Sequence, residues 1–163
     1  MTTQEFKRKL TAILSADVKG YSRLMGADEE ATVRTLQAYK EVMASSIQHH
    51  RGRVVGTAGD SVLAEFASVV DAVQCAVEIQ QVLRAKNAML PENRRMEFRI
   101  GINLGDVIEE RDTIYGDGVN IAARLEGLPS RTIATATLTF ERSAATLPIF
   151  KNELPILPAN SGI

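Results

Sequence analysis

The sequence predicts an α+β fold with helices packed on one face of a mainly antiparallel sheet. Three observations lead there. A short apolar run near the N-terminus, LTAILSAD (10–17), ends in an acid as a central strand does. Two helical stripes flank a hairpin-like stretch, and FRIGINLG (98–105) alternates as a half-buried strand. The order along the chain is β-α-β-β-α-β-α-β.

Each element has its own signal. GADEE (26–30) places acids ahead of a helical period in which Val33, Leu36, Met43 and Ile47 mark one face, with Tyr39 and Val42 beside it. That helix is expected to stop near HHRG, with Gly52 as its C-terminal break. RVVGTAGDSVLAEF (53–66) reads as two short strands around a tight turn. Ser68 and Asp71 form an S-x-x-D helix start, and Val69, Ala72, Val73, Ala76, Ile79 and Leu83 carry the stripe to about Asn87. In the strand from Phe98, the residues Phe98, Ile100, Ile102 and Leu104 form the core side. Arg99, Gly101, Asn103 and Gly105 form the other, whose glycines allow a backbone or ligand to lie close. YGDGVNIAARLEGL turns through two glycines into a short helix ending near Gly127, and RTIATATLTF suits one more strand. Beyond it Pro148, Pro155 and Pro158 interrupt any rhythm.

Composition narrows the function classes. The 163 residues suit one domain, and 45% apolar with 24% charged residues is ordinary for a soluble globular chain. A formal charge of −1 excludes wrapping a nucleic-acid polymer but allows a mononucleotide. Cys75 is the only cysteine, so neither a disulfide framework nor a thiolate metal site is available, and a reduced cytoplasmic setting is expected. The N-terminal apolar run is too short to span a membrane and lacks a signal-peptide pattern.

Two carboxylates stand out. Asp17 ends the first strand and Asp60 sits in the hairpin turn, and a split βαβ plan sets those strands side by side. Paired carboxylates without a nearby histidine are oxygen ligands for a hard cation such as Mg²⁺, and a pair of such ions can bind a triphosphate. The residues alone also allow, and favour, Asp60 as a turn residue and Asp17 as the cap of VKGYS. Asn120 and Arg124, four apart on a helix behind YGDG, share a face suited to a phosphate or simply to solvent. His49 and His50 fall at a helix C-terminus, where basic groups are structurally favourable, and Cys75 reads as a small helix residue near the core.

Taken together, ILSADVKGYSRLM, GTAGDSVLAEF, FRIGINLGDVIEE and IYGDGVNIAARLE resemble the class III adenylate/guanylate cyclase catalytic domain of bacterial type, in that family's order and spacing from about Ala12 to Leu128. The resemblance implies a ferredoxin-like core over residues 1–128, with 129–163 as a divergent C-terminal segment of the same domain. It implies conversion of a nucleoside triphosphate, ATP being the expected one, to a 3′,5′-cyclic nucleotide and pyrophosphate. Two Mg²⁺ or Mn²⁺ ions would be held by Asp17, Asp60 and the Val18 carbonyl. The amides around Lys19, Gly20, Tyr21 and Ser22 would lie against the phosphates. In a head-to-tail homodimer, Asn120 would contact the ribose and Arg124 the phosphates from the opposite subunit.

Two departures qualify that picture. Gly56 stands where adenylate cyclases of the family carry a base-reading lysine and guanylate cyclases a glutamate. The second base-reading position falls on Thr113, beside Asp112, and its hydroxyl both donates and accepts. The tail does not match the family's closing pattern, and Lys151, the only lysine beyond Lys86, does not align with its phosphate-binding lysine. A catalytically silent cyclase-homology domain, kept for dimerisation or nucleotide sensing, is therefore the alternative. The palm domain of a polymerase or diguanylate cyclase fits less well: the turn reads TAGDS, and NIAARLE is foreign to it.

Overall fold

The structure, a computed structural model, describes residues 6–126 and 134–137. Its central strand β1 (Lys7–Val18) pairs antiparallel with β3 (Val62–Phe66) on one side and β4 (Phe98–Glu110) on the other. The hairpin strand β2 (Arg53–Gly56) lies outside β3, and β5 (Thr113–Tyr115) lies outside β4, giving the order β2-β3-β1-β4-β5. The late strand expected within RTIATATLTF is β6 (Ala134–Thr137), and it alone pairs parallel, with β4. The fold is α+β with a mainly antiparallel sheet, as the sequence predicts. Lys151 and the proline-punctuated stretch from Pro148 lie outside the described residues.

β1 is buried on both faces, which is why its centre reads as a continuous apolar run rather than an alternation. Ala12, Leu14 and Ala16 face the two long helices, α2 (Glu29–His49) and α3 (Val69–Ala88). Ile13 faces the opposite way, onto Ala122 of α4 (Asp117–Glu126). The one-face expectation thus holds for the long helices, while α4 lies on the other face. Its seat is made by glycines. A Cβ on Gly105 would come within 3.2 Å of the Gly118 Cα, and one on Gly118 within 3.0 Å of both the Asp106 carbonyl and Ile13. Asn103 Nδ2 donates to the Gly118 carbonyl at 3.1 Å. The backbone that approaches β4 at Gly105 is this chain's own α4.

Asp28 caps α2 by accepting from the Ala31 amide at 3.0 Å. The buried stripe runs Thr32, Leu36, Tyr39, Met43 and Ile47, whereas Val33, expected in it, is 37% exposed. The polar Thr32 hid the true phase; its hydroxyl donates to the Leu24 carbonyl at 2.9 Å. Leu24 belongs to a short helix, α1 (Tyr21–Ala27), that the sequence pattern did not reveal. Ser68 caps α3 as expected. At the far end of α3, Asn87 binds both backbone groups of Met96 and accepts from the buried Tyr39 hydroxyl at 2.7 Å.

Gly52 ends α2 for a reason other than the expected one. Arg51, not Gly52, takes the left-handed conformation (φ 61°). A Cβ on Gly52 would sit 2.4–2.8 Å from the Phe66 ring, so the position demands the absence of a side chain. Gly52→Ala should therefore destabilise the domain by about 1–3 kcal/mol through overpacking, read as a lower denaturant midpoint with unchanged slope.

Candidate active site

Register decides what meets at the C-terminal end of β1. Asp17 pairs in the sheet with Arg99, so both side chains leave the same face. The guanidinium grips the carboxylate with Nε and Nη2, each at 2.9 Å. This bidentate pair is partly exposed, with Asp17 at 22% and Arg99 at 33%. Sequence reading placed Arg99 on the correct strand face without assigning it a role.

Asp60 arrives from the β2–β3 loop. Gly59, at φ 56°, makes the turn, and Ser61 closes it with its amide on the Ala58 carbonyl at 2.9 Å. Lys40 of α2 holds the same loop, its ammonium donating to the carbonyls of Thr57 (3.2 Å) and Gly59. Burial holds the Lys40 ammonium below its usual value, and the nearby Asp60 charge opposes that shift only in part. The outcome is that Asp60 Oδ2 accepts the Val18 amide proton at 3.1 Å. One carboxylate is thus anchored on the backbone of the residue that follows the other.

The strand leads into a tight turn. Lys19 donates its amide to the Glu97 carbonyl at 2.8 Å, and Gly20 takes φ 68° before α1 begins at Tyr21. Of the expected phosphate-facing amides, that of Lys19 is therefore already engaged, by the Glu97 carbonyl just before β4. Gly56 ends β2 after a register shift that begins at Val54, and a Cβ there would meet only the Leu63 Cβ, at 3.7 Å. Thr113 opens β5 opposite Glu110 and is half-buried.

β2 and β5 are opposite edges of the sheet, yet a charged network on this face links them. Arg53 binds Glu65 on β3, Glu109 on β4 at 3.0 Å, and Asp112 in the β4–β5 turn at 3.7 Å. Lys9 joins Glu65 and Glu109 at 3.0 and 3.1 Å. Burial alone would push the Glu65 carboxyl up, but hydrogen bonds from Arg53 and Lys9 outweigh it and hold it below the usual carboxylate value. The sheet is thus curled, and the same face carries Asp17, Arg99 and α4. Asn120 and Arg124 are exposed on α4, while Val119 and Ala122 pack inward.

The oxygen-only donor set of Asp17, Asp60 and the Val18 carbonyl fits hard divalent cations. Both Asp17 oxygens are engaged by Arg99, so a bound ion would have to share or displace that pair.

Comparisons with known proteins bear on the family and the fold. The family model for the adenylate and guanylate cyclase catalytic domain matches residues 4–138. Putative adenylate cyclase 3 of Rhizobium meliloti (strain 1021) is 49% identical over 129 residues, covering 78% of this chain; the chain spans only 22% of that protein's length. A crystal structure of an adenylate/guanylate cyclase/hydrolase from Silicibacter pomeroyi superposes with a TM-score of 0.74 at 40% identity, covering 81% of this chain and 78% of that one. The guanylyl cyclase Cya2 superposes with a TM-score of 0.67 at 30% identity, over 80% of this chain and 76% of its own. Among the described residues, no helix is long and apolar enough to cross a membrane.

Proposed function

This chain belongs to the adenylate and guanylate cyclase catalytic domain family, and we propose that it converts a nucleoside triphosphate, with ATP as the expected substrate, to a 3′,5′-cyclic nucleotide and pyrophosphate. The observation that carries this reading is the Asp60–Val18 hydrogen bond, which sets two carboxylates at one strand end. Asp17, Asp60 and the Val18 carbonyl would hold two Mg²⁺ or Mn²⁺ ions. When bound, such ions supply acidity to the ribose 3′-hydroxyl and neutralise charge on the departing pyrophosphate.

The chain's own residues do the positioning. The pair of Asp17 with Arg99 would weaken with cations held at Asp17, and the planar Arg99 guanidinium suits phosphate oxygens. The amides of Gly20, Tyr21 and Ser22, at the start of α1, lie beside the same strand end. Arg124 would stabilise the charge that builds on the α-phosphate, and Asn120 would orient the ribose, both from a second copy in a head-to-tail dimer. Their exposure on α4 supports that assignment.

Gly56 favours the silent-domain alternative, since it offers no side chain to the base. Incubating the chain with each of the four triphosphates and Mg²⁺ or Mn²⁺, then identifying products, separates the two readings. No cyclic product from any triphosphate, in a sample shown to bind metal and to dimerise, would establish the silent domain.

If the chain is active, base selectivity should be poor, with Thr113 as the remaining reader. A side chain at Gly56 can start without a clash, because among the described residues its Cβ would meet only the Leu63 Cβ, in ordinary contact at 3.7 Å. One charged hydrogen bond to the base is worth about 1.5–3 kcal/mol. Gly56→Lys should therefore raise turnover of ATP over GTP by about ten- to a hundredfold, measured as the ratio of kcat/KM values. Strong discrimination by the native chain would instead assign base reading to Thr113 or Asp112.

A further inference from the structure

The corner where α2 ends against α3 carries a cluster that cyclase chemistry leaves unused. His49 is the last residue of α2, His50 is its C-cap, and Glu78 lies in the middle of α3. The two helices bring them together. His50 Nε2 lies 2.9 Å from Glu78 Oε2, and His49 Nδ1 lies 3.8 Å from Glu78 Oε1. One carboxylate thus faces two imidazoles, one with each oxygen. A ligand atom from each of the three residues lies within 4.8 Å of the others.

We propose that His49, His50 and Glu78 form a binding site for a zinc-class divalent cation, separate from the Asp17–Asp60 site. A tetrahedral Zn²⁺ with bonds of about 2.0–2.1 Å sets its ligand atoms roughly 3.3–3.4 Å apart. His50 and His49 stand 2.9 and 3.8 Å from opposite oxygens of Glu78, and one ligand atom from each residue lies within 4.8 Å of the others, so side-chain rotations would have to bring them to that spacing. Exposure is graded in the useful order: His50 is 19% exposed, Glu78 36% and His49 75%. The inner imidazole and the carboxylate are held by the helices, and the outer imidazole is free to close over an ion. Two nitrogens and one oxygen select a borderline metal, whereas the all-oxygen set at Asp17 selects a hard one. Three protein ligands leave a fourth position for water. The ion would cross-link α2 to α3 immediately before Arg51 and Gly52 lead the chain into β2, and so would stabilise the folded domain.

The test is calorimetric titration of the untagged chain with Zn²⁺ in the presence of excess Mg²⁺, with thermal unfolding followed in parallel. One equivalent of Zn²⁺ should bind in the micromolar range or tighter and raise Tm, with no matching effect of Mg²⁺ alone. His50→Ala and Glu78→Gln should each weaken that binding at least about tenfold, on the scale by which even outer partners of metal ligands matter. His49→Ala removes a mostly exposed ring and cannot be dismissed as a folding defect; it should also weaken binding. Absence of Zn²⁺ binding, or binding of equal strength in all three variants, would reduce the cluster to a helix-end hydrogen bond and overturn the proposal.

Discussion

Asp60→Asn should lower cyclic-nucleotide formation by about a thousandfold or more while leaving the fold intact. Asparagine is nearly isosteric and keeps an oxygen to accept the Val18 amide proton, the contact that fixes the loop at 3.1 Å. Lys40 continues to hold the carbonyls of Thr57 and Gly59, so the loop keeps its course. What disappears is one negative charge at the end of β1. Removal of a single preorganised electrostatic group typically costs about 10²–10³ in turnover, and under the proposed role a carboxylate that would hold a cation belongs at or above the upper end. The comparison needs product formation beside denaturant unfolding. Unchanged stability with lost turnover is the expected pair of results; unchanged turnover would remove Asp60 from the catalytic machinery. Asp17→Asn is the less clean companion, because it also weakens a bidentate ion pair with Arg99.

The acid at the end of β1 was legible in the sequence but its role was not, because a cap and a turn account for Asp17 and Asp60 at least as readily as a metal does. The glycine alternation of β4 was legible too, as a demand for close approach, but not what approaches. That depends on α4 crossing to the second face of the sheet, which turns on packing between Ile13, Gly105 and Gly118. Arg99 escaped notice because its role depends on the register of two strands whose paired residues are 82 positions apart. β5 has three residues and α1 seven, too few for a periodic pattern to emerge. The phase of α2 was misread at Val33 because a buried threonine carries no hydropathic signal. His49 and His50 were correctly placed at a helix end, yet Glu78 comes from another helix and no spacing rule could have supplied it.

Arg124→Ala and Asp60→Asn, each nearly inactive alone, should together recover about a quarter of native activity when mixed in equal amounts. Asn120 and Arg124 lie four apart on α4 and are exposed, while Val119 and Ala122 anchor the helix to the sheet. A guanidinium delivered to a transferring phosphoryl group is worth about 10³–10⁵ in turnover, so the Arg124 variant should fail on its own. If the two variants place their defects on different sides of each composite site, a mixed dimer has one doubly altered site and one intact site. Random exchange makes half of the dimers mixed, and half of their sites work, which gives the quarter. Recovery should follow dimer formation as protein concentration rises. A mixture that stays inactive where sedimentation shows exchanged dimers would mean that each chain completes its own site, and the head-to-tail assignment of Asn120 and Arg124 would be wrong.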